Sequence, residues 1–597
     1  MMNNHVLEPT VVSITDTVAE RRPEDRPPSP ASISPFTGCG IQTTSPNPHV
    51  PHPAREKTVD PRSFPSIIPP EHERRTLVLC FDGTGDQFDA DNSNIVQLVS
   101  LLKKNDRTKQ MVYYQAGIGT YTSTKAATPF MSRIQKTLDE MVAWNLDAHV
   151  MSGYEFLMQN YIEGDKICIF GFSRGAYTAR SLAGMLHKVG LLPADNFQQV
   201  PFAYKMYTRI DHIGWEQSNG FKKAFCADVI IDFLGVWDTV DSVGIIPRRL
   251  PFTTSNTIVR TFRHAIALDE RRAKFKTNLW NRPTIHESRL GTSSAPQPAQ
   301  PPESPLDEKE PSTLSSSTFP KFSYSSFMKS NGSEKGSDTV KPHPKRSTTW
   351  AKESEQDKKL DTMEMMYSCQ KEARTDIEEV WFAGCHCDVG GGAVSNKTRY
   401  SLARIPLRWM IRECFKTNTG IMFEAESLWE IGLDPTTLYP FVTPRPPPLP
   451  ITSEHKIQKP PADPIPIRLH ATLTKKRPAE VHARHAVAPA PFLGSEEAEE
   501  LHDALSPAYD QLELKKGWWI LEILPLQLRY QRGDNQWVAY FGSNLARPRF
   551  IPKQIKNGVK VHRSVKMRME AIYEDEKKKG KKYKPKAGLR VEPEWID

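Results

Sequence analysis

The sequence contains no apolar stretch that approaches the roughly 20 residues needed to cross a bilayer. Residues 1–16 also lack the basic segment and apolar core of a secretory signal. Cysteine is scarce, with 8 in 597 residues, and Cys80 and Cys168 lie inside apolar stretches, where buried thiols are more typical than disulfides. These absences exclude a membrane-spanning helix and a disulfide-stapled secreted domain, so we expect a cytoplasmic protein.

Three stretches hold too few aliphatic side chains to build a core, and many of the 50 prolines cluster in them. Ordering such chain costs conformational entropy that little apolar burial offsets. The predicted organisation is a disordered tail (1–73), a main domain (74–443) with a disordered insertion (288–358), a Pro-rich linker (444–495), and a C-terminal extension that packs on or caps the main domain (496–597).

The basic excess is uneven along the chain. Net charge at pH 7 is +9, and much of the excess lies in Lys577–Lys586. Such a run is most often a solvated tail, but it could contact nucleic acid, anionic lipid or a nuclear import receptor. We predict that this run contacts an anionic membrane peripherally, with nuclear import as the alternative. We expect no nucleic-acid partner.

Apolar runs alternate with helical periodicity over residues 76–414. This β-α-β-α rhythm predicts an α/β fold, with a mostly parallel sheet and helices on both faces. Functional residues of such sheets lie at the carboxyl ends of the strands. The predicted strands are 76–81, 111–115, 167–170, 227–237 and 379–382, and the predicted helices are 94–104, 134–160, 258–268 and 402–414.

The third of these strands leads directly into Gly171-Phe172-Ser173-Arg174-Gly175 and then into a helical pattern. In this context the spacing G-x-S-x-G indicates a sharp elbow that exposes a nucleophilic serine. The two glycines are needed because β-carbons there would collide with neighbouring backbone. We therefore interpret Ser173 as a nucleophile and the Arg174 backbone N–H as an oxyanion donor.

A serine nucleophile needs a base and an orienting acid, and enzymes of the elbow type carry them in the order Ser, acid, His. Asp238 follows an apolar strand, and His386 follows a later one in a Gly-flanked segment. Asp241 is the alternative acid. His264, in a predicted helix, and His562, in the C-terminal extension, are the alternative bases.

Asp82-Gly83-Thr84 at the end of the first predicted strand has three interpretations. The backbone of Gly83 and Thr84 could supply the second half of an oxyanion hole. An aspartyl-phosphate phosphatase would need an acidic nucleophile two residues earlier, where this chain has Cys80. That interpretation fails, and a plain turn remains as the alternative.

Cys385-His386-Cys387 has metal-binding residue types, but no second ligand pair at zinc spacing completes a tetrahedral site. The glycines at 390–392 are not followed by the Lys-Ser/Thr of a phosphate loop. We therefore expect neither a metal nor a cofactor.

Five motifs, in this order, resemble the catalytic domain of type VI secretion phospholipase effectors, an α/β-hydrolase family with many uncharacterised fungal members. The motifs are FDGTG at 81–85, GFSRGA at 171–176, GVWDT at 235–239, HAIALDE at 264–270 and WFAGCHCDVGGG at 381–392. The resemblance implies an α/β-hydrolase fold and a Ser-Asp-His triad that falls on Ser173, Asp238 and His386.

The sequence thus predicts a serine hydrolase that cleaves an ester, and the expected substrate is the acyl ester of a phospholipid or another lipid. The alternative hypothesis is a catalytically inactive α/β-hydrolase fold that serves as an interaction scaffold, with disordered arms that recruit partners.

Overall fold

The computed structural model describes twelve stretches of the chain, and the structural statements that follow concern these residues. They are 64–83, 86, 88–117, 146–240, 249–280, 359–364, 375–460, 492–531, 537–552, 554, 558–575 and 580–597. All of them belong to one unit, Phe64–Asp597. Thr84 and Asp241, the predicted tail up to Ser63 and the predicted insertion lie outside the described residues.

The described residues contain fourteen strands and twelve α-helices. The strands are β1 (Ile67–Ile68), β2 (Thr76–Phe81), β3 (Gln110–Gln115), β4 (Lys166–Phe172), β5 (Ile231–Trp237), β6 (Val259–Ala267), β7 (Asp376–Phe382), β8 (Phe423–Glu424), β9 (Lys456–Ile457), β10 (Leu526–Gln531), β11 (Trp537–Gly542), β12 (Lys560–His562), β13 (Ile572–Tyr573) and β14 (Glu594–Ile596). The helices are α1 (Asn94–Leu101), α2 (Leu146–Asn160), α3 (Arg174–Val189), α4 (Val200–Thr208), α5 (His212–Phe225), α6 (His386–Gly390), α7 (Arg404–Lys416), α8 (Ala425–Glu430), α9 (Glu496–Ala504), α10 (Gln511–Leu514), α11 (Trp519–Ile523) and α12 (Arg563–Glu570).

Eight strands form the main sheet in the spatial order β14-β12-β7-β6-β5-β4-β2-β3, and neighbouring strands are parallel throughout. Every residue of β2 is buried, as expected of a strand covered on both faces. Alternate residues of β2 enter two different clusters: Leu77 and Leu79 pack with α2 and α3, and Val78 and Cys80 pack with α1 and α7. The predicted α/β class, with a mostly parallel sheet and helices on both faces, is confirmed.

The prediction of a helix over residues 258–268 is wrong, because this segment forms β6 in the middle of the sheet. Eight of its nine residues are buried between β5 and β7. A short run with apolar residues on both sides does not distinguish a buried strand from a buried helix. The polar Arg263 in this strand is accommodated by Glu413 and Asp376, each 2.7 Å away.

Residues beyond 496 share in the core of this unit. They supply β12, which pairs with β7, and β14 at the sheet edge. Val561 and Val565 are buried in a third apolar cluster with Trp381 of β7. The C-terminal extension therefore completes one side of the sheet.

The basic run near the C-terminus is partly anchored. Tyr583 is buried and donates a hydrogen bond to Asp269, and Lys586 forms an ion pair with Asp510. Lys581 and Lys584 are exposed, and residues 577–579 lie outside the described part. Contact with an anionic membrane stays a prediction. In the described part of the chain, none of the helices combines the length and the hydropathy that a bilayer crossing requires.

Candidate active site

The elbow forms at the junction of β4 and α3. Ser173 has φ 57° and ψ −119°, a backbone conformation that is costly for a residue with a side chain. A β-carbon at Gly171 would lie 2.6 Å from the carbonyl oxygen of Gly175, and one at Gly175 would lie 2.3 Å from that of Phe81. Glycine at both positions lets the strand, the turn and the helix approach closely enough to present the Ser173 hydroxyl.

Ser173, His386 and Asp238 form a continuous hydrogen-bonded chain. The Nδ1 atom of His386 lies 2.5 Å from Oδ2 of Asp238, and its Nε2 lies 2.8 Å from Oγ of Ser173. Because an ionised carboxylate only accepts, Nδ1 carries the proton, and Nε2 accepts from the serine hydroxyl. The exposed fractions are 6% for Ser173, 3% for His386 and 0% for Asp238, so water competes little for these bonds.

The sheet brings these side chains together from distant points in the sequence. Asp238 follows β5 directly, with φ 42°, and the backbone N–H of Ala267 donates to its Oδ1 at 2.9 Å. His386 lies beyond the carboxyl end of β7 and is the first residue of α6 rather than part of a loop. Cys385 caps α6, and the ring of Phe172 stacks on the imidazole with 4.7 Å between centroids.

The neighbouring cation opposes protonation of Asp238, and burial opposes protonation of His386. Burial raises the pKa of Asp238, but the Arg549 guanidinium and the hydrogen bond from His386 lower it by a larger amount. The pKa of Asp238 is therefore below its ordinary range. Burial lowers the pKa of His386, Asp238 raises it and Arg272 lowers it, and the result is again below the ordinary value. The imidazole is therefore neutral and able to accept a proton.

The alternative bases are placed elsewhere. His264 is buried in β6, where its Nε2 accepts from the backbone N–H of Thr239 and its Nδ1 lies 3.2 Å from Glu379. His562 is buried at the end of β12 and bonds Ser564 at 2.8 Å. Both rings are thus engaged with groups outside the triad. The alternative acid, Asp241, lies outside the described residues.

The Asp82–Gly83 turn lies against the elbow. A β-carbon at Gly175 would be 2.4 Å from the carbonyl oxygen of Asp82, so the two backbones touch. The Asp82 carboxylate accepts from Ser93 at 2.7 Å, from Tyr114 at 2.9 Å and from the N–H of Gly83 at 2.8 Å. Burial raises the pKa of Asp82 to about 6, against the lowering effect of these bonds. The start of the predicted oxyanion loop is therefore held beside Ser173.

Two arginines at the site were not predicted from the sequence. Arg549 forms a bidentate ion pair with Asp238, with Nη1 2.5 Å from Oδ1 and Nη2 2.8 Å from Oδ2. Arg272 pairs with Glu270 at 2.8 Å, and its guanidinium lies 3.5 Å from the ring centre of Phe275. Arg272 follows the HAIALDE motif and could have been found from it, whereas nothing in the pattern around Arg549 indicates a role.

The pair of thiols beside His386 is not arranged as a metal site. The Cys385 sulfur lies 3.5 Å from the carbonyl oxygen of Asp269, as a weak donor would. Within the ranges given above, no group of three or more His, Cys, Asp or Glu side chains is placed to hold a metal ion.

Comparison with known proteins gives one family and several relatives. The family model described as "T6SS, Phospholipase effector Tle1-like, catalytic domain" matches residues 75–413. The uncharacterized protein YEL023C of Saccharomyces cerevisiae is 29% identical over 543 residues, which cover 82% of this chain and 79% of that protein.

Two solved structures are similar to parts of the chain. An uncharacterized protein from Pseudomonas aeruginosa has 15% identity and a TM-score of 0.28, over 58% of this chain and 46% of that one. The Tle1 effector bound to the VgrG spike from the type 6 secretion system has 17% identity and a TM-score of 0.20, over 34% and 47%. The chain spans about half the length of both structures, and TM-scores this low carry no weight here.

Proposed function

We propose that this chain, which belongs to the T6SS phospholipase effector Tle1-like catalytic domain family, is a serine hydrolase that cleaves an acyl ester of a lipid. Family membership supports hydrolysis of lipid esters. The observation that carries the proposal is the pair of hydrogen bonds at His386, which accepts from Ser173 at 2.8 Å and donates to Asp238 at 2.5 Å.

Each triad member has a role that follows from its environment. Ser173 attacks the ester carbonyl while the neutral His386 takes the hydroxyl proton at Nε2. Asp238 holds the imidazole in the tautomer that accepts at Nε2 and stabilises the imidazolium that forms. His386 then protonates the leaving alcohol, and water, activated by the same imidazole, hydrolyses the acyl-enzyme.

The negative charge that develops on the carbonyl oxygen needs donors close to Ser173. The backbone N–H of Arg174, at the start of α3, is one, and the helix dipole adds to its effect. The turn after β2 is the second source, because it lies where the elbow and the end of β2 touch. The N–H of Gly83 donates to the Asp82 carboxylate at 2.8 Å, so in this proposal the donor is the N–H of Thr84. Thr84 remains a predicted contributor.

An apolar surface beside the site supports a lipid substrate. Trp518 lies edge-on to Phe275, 5.6 Å between ring centres, and Phe275 lies 4.9 Å from the imidazole of His386. Helix α11 follows directly, and its Ile520 and Ile523 are 47% and 60% exposed. A surface of this kind suits docking onto an acyl-chain interface.

Helix α11 differs from an ordinary surface helix, because its carboxylate is buried while three of its four apolar side chains are exposed, Leu521 being the buried one. Glu522 is buried and accepts from the backbone N–H groups of Ala273 and Ala546 and from the side chain of Asn544. These bonds fix the helix with its apolar side facing solvent. We define the exposed side chains of Trp519, Ile520, Ile523 and Leu524 as the α11 surface.

The proposed activity is tested with Ser173→Ala on two substrates. Wild-type protein should hydrolyse a p-nitrophenyl ester and should release fatty acid from phospholipid vesicles, detected by mass spectrometry. Both activities should be lost in Ser173→Ala. Ser181→Ala is the matched control, since Ser181 is a buried serine of helix α3, which begins directly after Ser173, and its hydroxyl donates to the carbonyl oxygen of Tyr177.

The two substrates separate the reaction from its substrate class. Turnover of both by folded Ser173→Ala would contradict the nucleophile. Turnover of the p-nitrophenyl ester with no fatty acid released from any vesicle would leave an esterase and contradict the lipid substrate.

A further inference from the structure

Arg549 makes five hydrogen bonds, as many as a guanidinium can donate. Two go to the oxygens of Asp238, as described above, and one goes from Nη1 to the carbonyl oxygen of Ala267 at 3.0 Å. The other two go from Nε and Nη2 to the carbonyl oxygen of Phe275, at 3.0 and 2.7 Å. The residue is buried and lies beyond residues 75–413, the part that the family model matches.

We propose that Arg549 is a positioning residue of the triad, through which the C-terminal extension completes the active site; this inference rests on the proposed function. Its guanidinium fixes the Asp238 carboxylate in the orientation that His386 needs. Arg549 does not touch the reacting atoms, and it acts on the imidazole only through Asp238 and Phe275.

The first support is that the carboxylate has no rotational freedom left. Oδ1 accepts from Arg549 and from the N–H of Ala267, and Oδ2 accepts from Arg549 and from His386. Four donors occupy the four lone-pair positions of the carboxylate. Without Arg549, only the donors from Ala267 and His386 would remain. The plane of the carboxylate would then no longer be fixed by a bidentate pair.

The second support is electrostatic. Asp238 is fully buried, and a buried carboxylate needs a charged partner. A neutral imidazole cannot supply that charge, so Arg549 is the cation that balances Asp238 before the reaction. The other charged and titratable groups around His386 are Glu270 and Arg272 after β6, and Cys387 and Asp388 on its own helix.

The third support is the wall of the site. Arg549 bonds the Phe275 carbonyl twice, and the Phe275 ring lies against the imidazole. One side chain therefore holds both the acid and an aromatic neighbour of the base. Removing the Arg549 side chain should therefore free both groups that position the imidazole, the Asp238 carboxylate and the Phe275 ring.

The test compares Arg549→Gln and Arg549→Lys with Arg563→Gln as the matched control. Arg563 is a buried arginine of the same extension that pairs with Glu500 at 2.7 Å and bonds the carbonyl oxygen of Pro446, away from the triad. Two quantities are measured in each variant. One is the pH profile of kcat/KM on a p-nitrophenyl ester, and the other is the pKa of His386, from NMR of protein carrying ¹³C-histidine with the His386 signal assigned by its loss in His386→Gln.

Removing the positive charge of Arg549 leaves Asp238 uncompensated, so protonation of His386 becomes easier. In Arg549→Gln we expect the acid limb of the profile and the NMR titration of His386 to move up by about one pH unit. We expect kcat to fall on the order of 100-fold, because the acid and base are misaligned. Arg549→Lys keeps the charge but not the fork, so it should keep the pKa of His386 near the wild-type value and still lose kcat.

Loss of packing alone would lower activity without moving the titration of His386. An unchanged pKa of His386 in Arg549→Gln, or wild-type kcat in Arg549→Lys, would overturn the proposal. If Arg549→Gln does not fold, the kcat of Arg549→Lys decides. Because the NMR titration needs no turnover, an inactive wild-type protein would refute the proposed function and still report on Arg549.

Discussion

Two regions of the molecule meet at the site and contribute to it differently. In residues 75–413, the three triad side chains lie at or just beyond the carboxyl ends of parallel strands, so the sheet itself sets their separation. In residues 496–597, Arg549 lies on a loop and bonds the Asp238 carboxylate directly. Trp518 lies on a short 3-10 helix and reaches His386 through Phe275. In the proposed mechanism, the first region holds the reacting groups, and the second holds those groups in place and covers them.

This difference concerns how precisely each kind of residue must be placed. Reacting atoms must lie within a few tenths of an ångström of their partners, and rigid elements provide that placement. Supporting contacts tolerate more variation in the elements that carry them. Substitutions of the triad should therefore remove the chemistry, whereas those in the second region should reduce it through the alignment or pKa of His386, or through docking.

The largest expected effect is loss of the base. His386→Gln should lower kcat about 10⁴-fold, as removal of a triad member does elsewhere. His562→Gln, a change to a buried histidine of the C-terminal extension, should leave kcat within a few-fold of wild type after correction for folded protein. A His562→Gln variant as inactive as His386→Gln would contradict the assignment of His386 as the only base of the reaction.

The second effect separates docking from chemistry. Ile520→Asp combined with Ile523→Asp puts two charges on the α11 surface, where a lipid interface would have to desolvate them. Fatty-acid release from vesicles should fall at least about ten-fold, in line with losing some 1.5–3 kcal/mol for each apolar side chain. Hydrolysis of a p-nitrophenyl ester should stay unchanged, and an equal loss on both substrates would show that α11 acts on the triad instead.

The third effect concerns the backbone of the elbow. Gly175→Ala places a methyl group 2.3 Å from the carbonyl oxygen of Phe81, so we expect about 1–3 kcal/mol of destabilisation in urea unfolding and reduced activity. Gly220→Ala on helix α5 meets nothing within 4 Å and should stabilise by up to about 1 kcal/mol. Equal stability of the two variants would mean that the backbone of the elbow has room for a methyl group at position 175.

The smallest effect concerns the basic run. Lys581→Gln and Lys584→Gln remove two exposed charges near the anchored Tyr583. If this run meets an anionic membrane, each substitution should weaken binding to anionic vesicles by about 1 kcal/mol, roughly five-fold. Binding to neutral vesicles serves as the control. Equal binding of wild-type and double-variant protein to anionic vesicles would contradict contact of the basic run with an anionic membrane.

The predictability of the site from sequence follows the same division. The parallel sheet and the candidates Ser173, Asp238 and His386 could be predicted because an apolar strand followed by such a residue is a local pattern. Arg549 was missed because its partner is 311 positions away in the chain, and no local pattern records such a pairing. The segment forming β6 was misassigned because its strand pairing with β5 and β7 depends on residues that lie outside the segment itself.

The central claim is that Ser173 is the nucleophile of a hydrolase whose base is His386. A fluorophosphonate probe, followed by peptide mapping with mass spectrometry, tests it most directly, because the probe reacts with an activated serine and stays attached to it. The account predicts one labelled peptide, the one that contains Ser173, with labelling lost in His386→Gln. No labelling of folded wild-type protein, or labelling of another serine, would contradict it.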